Sequence, residues 1–334
     1  VPSTTLDFET PQFLQSLIAY DPSSLRKLSE KFGIQVTSRD GWIKLEGSQV
    51  GIDSAQKVFQ QVEHVRRQGG EVSGNMLDLV MQSVSQASAE RPAESILQLK
   101  LLGGPRKAPV MAKTRGQIQY LHAMREHEVV FGVGSAGTGK TFLAMAQALQ
   151  CLKDKQVQRL ILTRPAVEAG EALGFLPGDL KEKIFPYLRP LYDAIYDLIE
   201  AEEADKLIER NIIEIAPLAY MRGRTLKNAF IILDEAQNTT AEQMLMFLTR
   251  LGEGSRCVIT GDPTQIDLKK GQRSGLIEAS QVLRQVAGVK FVDFGTTDVV
   301  RLPVVQRIID AYAKHRKEAE VAKEPAAAVS QRDA

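Results

Sequence analysis

The chain has 334 residues, 43% of them hydrophobic, which allows about one to three domains with a sizeable core. Its formal net charge is +1, so there is no global electrostatic pull toward nucleic acid, and any such contact must come from a local patch. The only cysteines, Cys151 and Cys257, lie in apolar segments and argue against a disulfide framework; with no apolar run of about 18 residues and no basic-then-apolar leader, the expected compartment is the cytoplasm, with no membrane partner.

In chain order, residues 1–10 are polar and are expected to fray. Residues 11–20 and 22–32 read as helix, 33–38 as strand, 39–41 as a turn and 42–47 as a second strand. Residues 50–68 read as a helix with Ile52, Ala55, Val58, Phe59 and Val62 on one face. This makes 1–68 a small α+β domain. It resembles a KH-like fold, which implies RNA binding, but such modules grip backbone through a G-x-x-G loop. No such loop occurs here, and Pro22-Ser-Ser24 stands where one is sought, so RNA contact and protein interaction both stay open. Residues 69–113 read as a helix at 73–87 followed by a linker rich in Gly and Pro, with one extended segment at 96–101. Lys100, Arg106, Lys107 and Lys113 make that linker locally basic; a solvated connector is the default reading and a nucleic-acid contact the alternative.

From residue 114 to 316 helix and strand alternate. Strands are expected at 128–133, 159–163, 212–216, 229–233, 256–260 and 289–294. Short, nearly unbroken apolar strands between helices predict an α/β domain with a parallel sheet flanked by helices. Ligand then belongs at the carboxyl ends of the strands. Residues 317–334 read as a polar, disordered tail. His64, His122, His127 and His315 show no metal-ligand spacing with the cysteines.

The chemistry gathers around the first strand of that domain. Gly134, Ser135, Ala136, Gly137, Thr138, Gly139, Lys140 and Thr141 match the phosphate-binding pattern G-x-x-x-x-G-K-[ST], with an apolar strand before and a helix after. Glycines let backbone N–H groups turn inward around phosphate oxygens, and the helix N-terminus faces the same anion. Lys140 is placed to reach the β- and γ-phosphates, and Thr141 to ligate Mg²⁺. Another apolar strand ends in Asp234 and Glu235; Asp234 is assigned to the metal and Glu235 to the base that polarises water. A third ends in Gly261-Asp-Pro-Thr-Gln265, where Gln265 is placed to sense the γ-phosphate. Gln117, just before the first strand, has an amide able to read an adenine edge. ATP and Mg²⁺ are the expected cofactors.

These segments, with Leu162-Thr-Arg-Pro165, resemble the first RecA-like half of superfamily 1 helicases and, more closely, the PhoH family of cytosolic ATPases. The PhoH resemblance also rests on residues 162–171, 173–179, 221–225 and 298–303. It covers 114–314 strongly and the first 68 residues more weakly. It implies a RecA-like phosphate-loop ATPase with a KH-like N-terminal domain, ATP hydrolysis, and a link to RNA, including ribosomal RNA maturation with an endoribonuclease partner or RNA turnover. Some relatives carry a nuclease domain, but no acidic cluster of that kind stands in the N-terminal region here.

A superfamily 1 helicase closes two such halves around ATP, and this chain has room for one. A cation completing the site is therefore expected from elsewhere, which points to a homo-oligomeric ring, for instance a hexamer. Arg301, Arg222, Arg224 and Arg164 are the candidates; Arg301, just before a helix at the end of the core, could also act in cis. Residues 170–195, with Lys181, Lys183 and Arg189, read as a nucleic-acid or subunit contact. A phosphate-loop phosphotransferase and a non-catalytic ATP-dependent adaptor are the alternatives.

Overall fold

The computed structural model describes residues 2–67, 72–86, 101–102, 107–165, 180–269 and 271–300, together with 304–305, 307–308 and 311–312 in short helical pieces. For residues 75, 82 and 180–184 the description is of backbone alone. The chain divides into two compact units, Val1–Asp298 and Val299–Ala334. The expectations for residues 69–70, 96–100, 170–179, Arg301 and the tail fall outside the described residues.

The first unit begins with β1 (Ser3–Asp7), where a frayed terminus was expected. A third strand, β3 (Trp42–Gly47), buries Ile43 and Leu45, and β1 pairs antiparallel along its edge with Leu6 opposite Ile43. The strand residues alternate in burial, so even a polar-looking stretch presents Leu6 to the core. β2 (Ile34–Arg39) pairs on the other side of β3, giving the order β1-β3-β2. Helix α1 (Pro11–Leu17) starts where the Phe13 N–H donates to Thr10 Oγ1 at 3.0 Å, with Pro11 in the first turn. It stops short of residue 20 because Ala19 and Tyr20 take positive φ angles of 57° and 56°. α2 (Ser23–Phe32), α3 (Gln49–Arg67) and α4 (Gly74–Gln86) complete this part. Met76, Leu77, Val80 and Met81 of α4 are buried in the same cluster as Leu28, Ile52 and Phe59.

The larger part is a six-stranded sheet whose recorded strand pairs all run parallel, in the order β6-β5-β7-β8-β4-β9. In chain order its elements are α5 (Arg115–Glu126), β4 (Val129–Gly134), α6 (Lys140–Lys153), β5 (Arg159–Arg164), α7 (Leu180–Leu198), α8 (Ala201–Glu209), β6 (Ile213–Pro217), β7 (Ala229–Leu233), α9 (Ala241–Leu248), β8 (Arg256–Gly261), α10 (Gly275–Val282) and β9 (Val289–Phe294). The two faces of β7 show why an unbroken apolar run is needed. Phe230 and Ile232 enter one core with Tyr120, Leu143, Leu191 and Ile195. Ile231 and Leu233 enter the other with Phe131, Phe247 and Leu276. Alternate side chains point to opposite faces, and both faces are covered. Ile118 of α5 packs against both the N-terminal cluster and the first of these cores, joining the two parts of this unit.

Candidate active site

The strand order decides what can meet. β8 lies between β7 and β4, so the ends of these three strands stand side by side at the carboxyl edge of the sheet. The loop after β4 takes left-handed angles at Gly137 (φ +82°) and Gly139 (φ +77°), and Gly139 caps α6. A Cβ on Gly134 would stand 2.5 Å from the Phe294 carbonyl oxygen, so β9 can approach only because that residue lacks one. Lys140 is 8% exposed; its ammonium donates to the carbonyls of Gly134 and Ser135, both at 2.7 Å, and to Thr138 Oγ1 at 3.2 Å.

Asp234 follows β7. Its Oδ1 accepts from Thr141 Oγ1 at 2.7 Å and from Thr260 Oγ1 at 2.6 Å. Three segments distant in sequence thus converge on one carboxylate. Thr141 and Asp234 offer hard oxygen donors side by side, which suits Mg²⁺. Among the described residues no group of three or more His, Cys, Asp or Glu could hold a metal ion. An ion here would complete its shell with water and phosphate oxygens, so the donor set fits Mg²⁺ arriving with a nucleotide better than a resident metal.

Glu235 is a non-glycine residue at φ +53°, ψ +39°, a sparsely populated conformation that turns its carboxylate into the cleft. Arg164 Nη2 donates to Glu235 Oε1 at 2.7 Å, and Gln237 Nε2 donates to Oε2. Gln237 Oε1 in turn accepts from the Asp262 N–H at 3.0 Å. Asp262 Oδ2 accepts from the Ala136 N–H at 3.0 Å, so a continuous chain of hydrogen bonds runs from Arg164 to the phosphate loop. The cleft between loop and acids has a volume of about 320 Å³ and is lined in part by Gly139, Lys140, Thr141, Asp234, Glu235 and Gln265.

The structure therefore brings together the loop, Asp234, Glu235 and Gln265. Gln117 lies under the loop, with its amide engaged by protein at both ends: Nε2 donates to the Thr138 carbonyl at 3.0 Å and Oε1 accepts from the Lys113 N–H at 2.6 Å. Of the candidate arginines, Arg164 is at the acids and Arg222 is exposed. Arg224 forks onto Glu214 at 2.6 and 2.7 Å, and this hydrogen-bonded pair holds the Glu214 carboxyl below its ordinary range. Arg301 is outside the described residues.

Sequence reasoning assigned no role to Thr260, Gln237, Asp262 or Asp298. Asp298, 7% exposed, accepts from the Gly116 N–H at 3.0 Å and the Gly295 N–H at 2.9 Å. With Thr114 capping the Gln117 N–H, it anchors the start of the helix that carries Gln117. Thr260 ends the expected strand and Asp262 lies in the motif that follows it, yet hydroxyls and turn aspartates are too common for spacing alone to single them out.

A family model described as "PhoH-like protein" matches residues 109–313. A PhoH-like protein of Bacillus subtilis (strain 168) is 45% identical over 306 residues, covering 92% of this chain and 96% of that protein. A PhoH-like protein of Mycobacterium tuberculosis is 46% identical over 307 residues, covering 92% and 87%. Protein PhoH of Escherichia coli (strain K12) is 42% identical over 246 residues, 70% of each chain. Among solved structures, the Pif1 helicase from Candida albicans aligns at 17% identity over 59% of this chain and 42% of that one; its TM-score of 0.32 is too low to bear on function.

Proposed function

This chain belongs to the PhoH-like protein family, and from that premise and the geometry of the cleft we propose that it binds ATP with Mg²⁺ and hydrolyses it, coupling hydrolysis to RNA binding or remodelling. The observation that carries the hydrolysis is the meeting of Thr141 and Asp234, the latter braced from behind by the buried Thr260 hydroxyl, beside Glu235 in one cleft with the phosphate loop. The loop N–H groups and the start of α6 receive phosphate oxygens. Lys140, now folded onto its own loop carbonyls, is within side-chain reach of the β- and γ-phosphates. When bound, Mg²⁺ supplies positive charge at the phosphoryl oxygens. Glu235 takes a proton from the attacking water as the bond from phosphorus to the bridging oxygen of ADP breaks; ADP and inorganic phosphate leave. Gln265, exposed at the cleft rim, is placed to report the terminal phosphate to its loop.

Free phosphate released from ATP, dependent on Mg²⁺ and lost in Lys140→Ala and Glu235→Gln, is the expected result. Undiminished turnover in Glu235→Gln would overturn it, since a positioned base contributes on the order of 10²–10⁴-fold.

The RNA coupling is supported by what lies at the same end of the sheet. Tyr220 and Arg222 follow the carboxyl end of β6 and are exposed, and α7 exposes Phe185 and Arg189. Aromatic rings interleaved with cations suit single-stranded nucleic acid. RNA should accelerate hydrolysis at low salt, and less so at high salt. Neutralising Lys181, Lys183 and Arg189 together should remove the stimulation and leave ATP binding intact.

A further inference from the structure

We propose that Arg164 is the cis-acting cation of the ATP site: it rests on Glu235 and exchanges that carboxylate for terminal phosphoryl oxygens when a triphosphate enters the cleft. This rests on the ATPase reading above and supplies from within one chain the charge expected from a neighbour.

Arg164 is the last residue of β5, opposite Pro217 of β6. The preceding residue, Thr163, accepts the Asp234 N–H at 2.9 Å, so the arginine side chain departs from a point locked to the two acids. Its side chain is 19% exposed, with Nη2 2.7 Å from Glu235 Oε1 and Nε 3.9 Å from Asp234 Oδ2. Both acids line the cleft. Nη1 donates to the Tyr187 carbonyl of α7 at 3.1 Å. A guanidinium keeps its charge and offers five N–H donors in a planar fork, which matches phosphate as well as carboxylate.

In the resting arrangement both Glu235 oxygens hold protein donors, Arg164 Nη2 on Oε1 and Gln237 Nε2 on Oε2. Release of Oε1 opens a place on the carboxylate for the attacking water. A terminal phosphoryl group in the cleft that Glu235 and Asp234 line carries more negative charge than the carboxylate on which Arg164 rests. Transfer of the guanidinium to that group frees Glu235 and neutralises the charge that develops in the transition state. ADP lacks the group and leaves Arg164 on Glu235. The residue therefore discriminates triphosphate from diphosphate, and its Nη1 arm carries the difference to α7.

The test uses the full chain. Affinities for ADP and for a non-hydrolysable ATP analogue are measured for wild type, Arg164→Ala and Arg164→Lys, with phosphate release in parallel. Arg164→Ala is expected to weaken the triphosphate analogue about tenfold or more, leave ADP within about threefold, and lower turnover at least about 10²-fold, toward the 10³–10⁵ typical of such arginines. Arg164→Lys, which keeps the charge but not the fork, should retain ADP binding and lose most of the discrimination. Equal losses for both nucleotides would reduce Arg164 to a structural ion pair and overturn the proposal. A second readout separates cis from trans: Arg164→Ala is mixed with Glu235→Gln under conditions that allow subunits to exchange. No recovery of turnover is expected, because neither chain owns both groups; recovery would show that the arginine serves a neighbour and would overturn the proposal. If wild type releases no phosphate, the ATPase reading fails, whereas loss of triphosphate selectivity in Arg164→Ala still reports on this one.

Discussion

Two buried threonines at the carboxyl edge of the sheet make opposite predictions. Thr260 and Thr163 are both 0% exposed and sit on strands flanking β7. Thr260 Oγ1 donates to Asp234 Oδ1 at 2.6 Å, whereas Thr163 Oγ1 is buried with no hydrogen-bond partner among the described residues. Valine has nearly the same shape and lacks the hydroxyl. In Thr260→Val, Asp234 loses one of the two hydroxyls on Oδ1, a hydrogen bond to a charged group worth about 1.5–3 kcal/mol. The carboxylate keeps Thr141 but loses the contact that fixes its orientation. Such supporting contacts typically contribute about 10–100-fold in metal affinity. In Thr163→Val an unsatisfied polar atom is removed, so stability should stay level or rise by a few tenths of a kcal/mol or more. The assay is thermal unfolding of both variants, with a Mg²⁺ titration of ATP hydrolysis at saturating ATP. Thr260→Val should unfold several degrees lower and need about 10–100-fold more Mg²⁺ for half-maximal rate. Thr163→Val should unfold no lower than wild type and keep its Mg²⁺ requirement. Equal damage from the two substitutions, or an unchanged Mg²⁺ requirement in Thr260→Val, would refute the claim that the hydroxyl positions Asp234 for the metal.

Gly139→Ala places a Cβ 3.2 Å from Gln117 Nε2 at φ +77°, a backbone angle that costs an L-residue about 1–2 kcal/mol; thermal unfolding should show a midpoint lower by a few degrees. The Arg224 hydrogen bond, with its charge, holds the Glu214 carboxyl below its ordinary value of 4.5. The pair therefore contributes stability that is present above the unfolded value and lost as pH falls through the folded one. Arg224→Ala should accordingly lower the melting temperature at neutral pH and flatten its acid-side decline below about pH 4.5. Burial pushes the thiols of Cys151 and Cys257 up, so a thiol-reactive dye at pH 8 should label neither in the native chain and both after denaturant.

The parts of the site that could be read in advance are those whose chemistry demands rare residues at fixed spacing. A loop of glycines ending in Lys140 and Thr141, and an apolar strand ending in paired acids, have few other uses. The inner strands of the sheet were legible because a run buried on both faces must be largely apolar, as in β7, whereas the edge strands β6 and β9 carry Glu214, Lys290 and Asp293 and were read from their place in the helix–strand alternation. β1 was not legible, because an edge strand that buries little beyond Leu6 carries a composition close to that of a loop. The end of α1 was missed for a local reason: Ala19 and Tyr20 take left-handed angles although neither residue type favours them.

By itself the sequence settled the class of the sheet, the phosphate loop and the two acids, since local spacing encodes them within single strand-to-loop transitions. It could not say that β8 lies between β7 and β4. Strand order follows from how both apolar faces are covered at once, a property of the whole chain and not of any one segment. That order sets Thr260 on Asp234, Asp262 on the loop amide of Ala136, and Arg164 on Glu235. A threonine, an aspartate and an arginine are ordinary on paper, and became parts of a site only when separate strand ends were brought within hydrogen-bond distance.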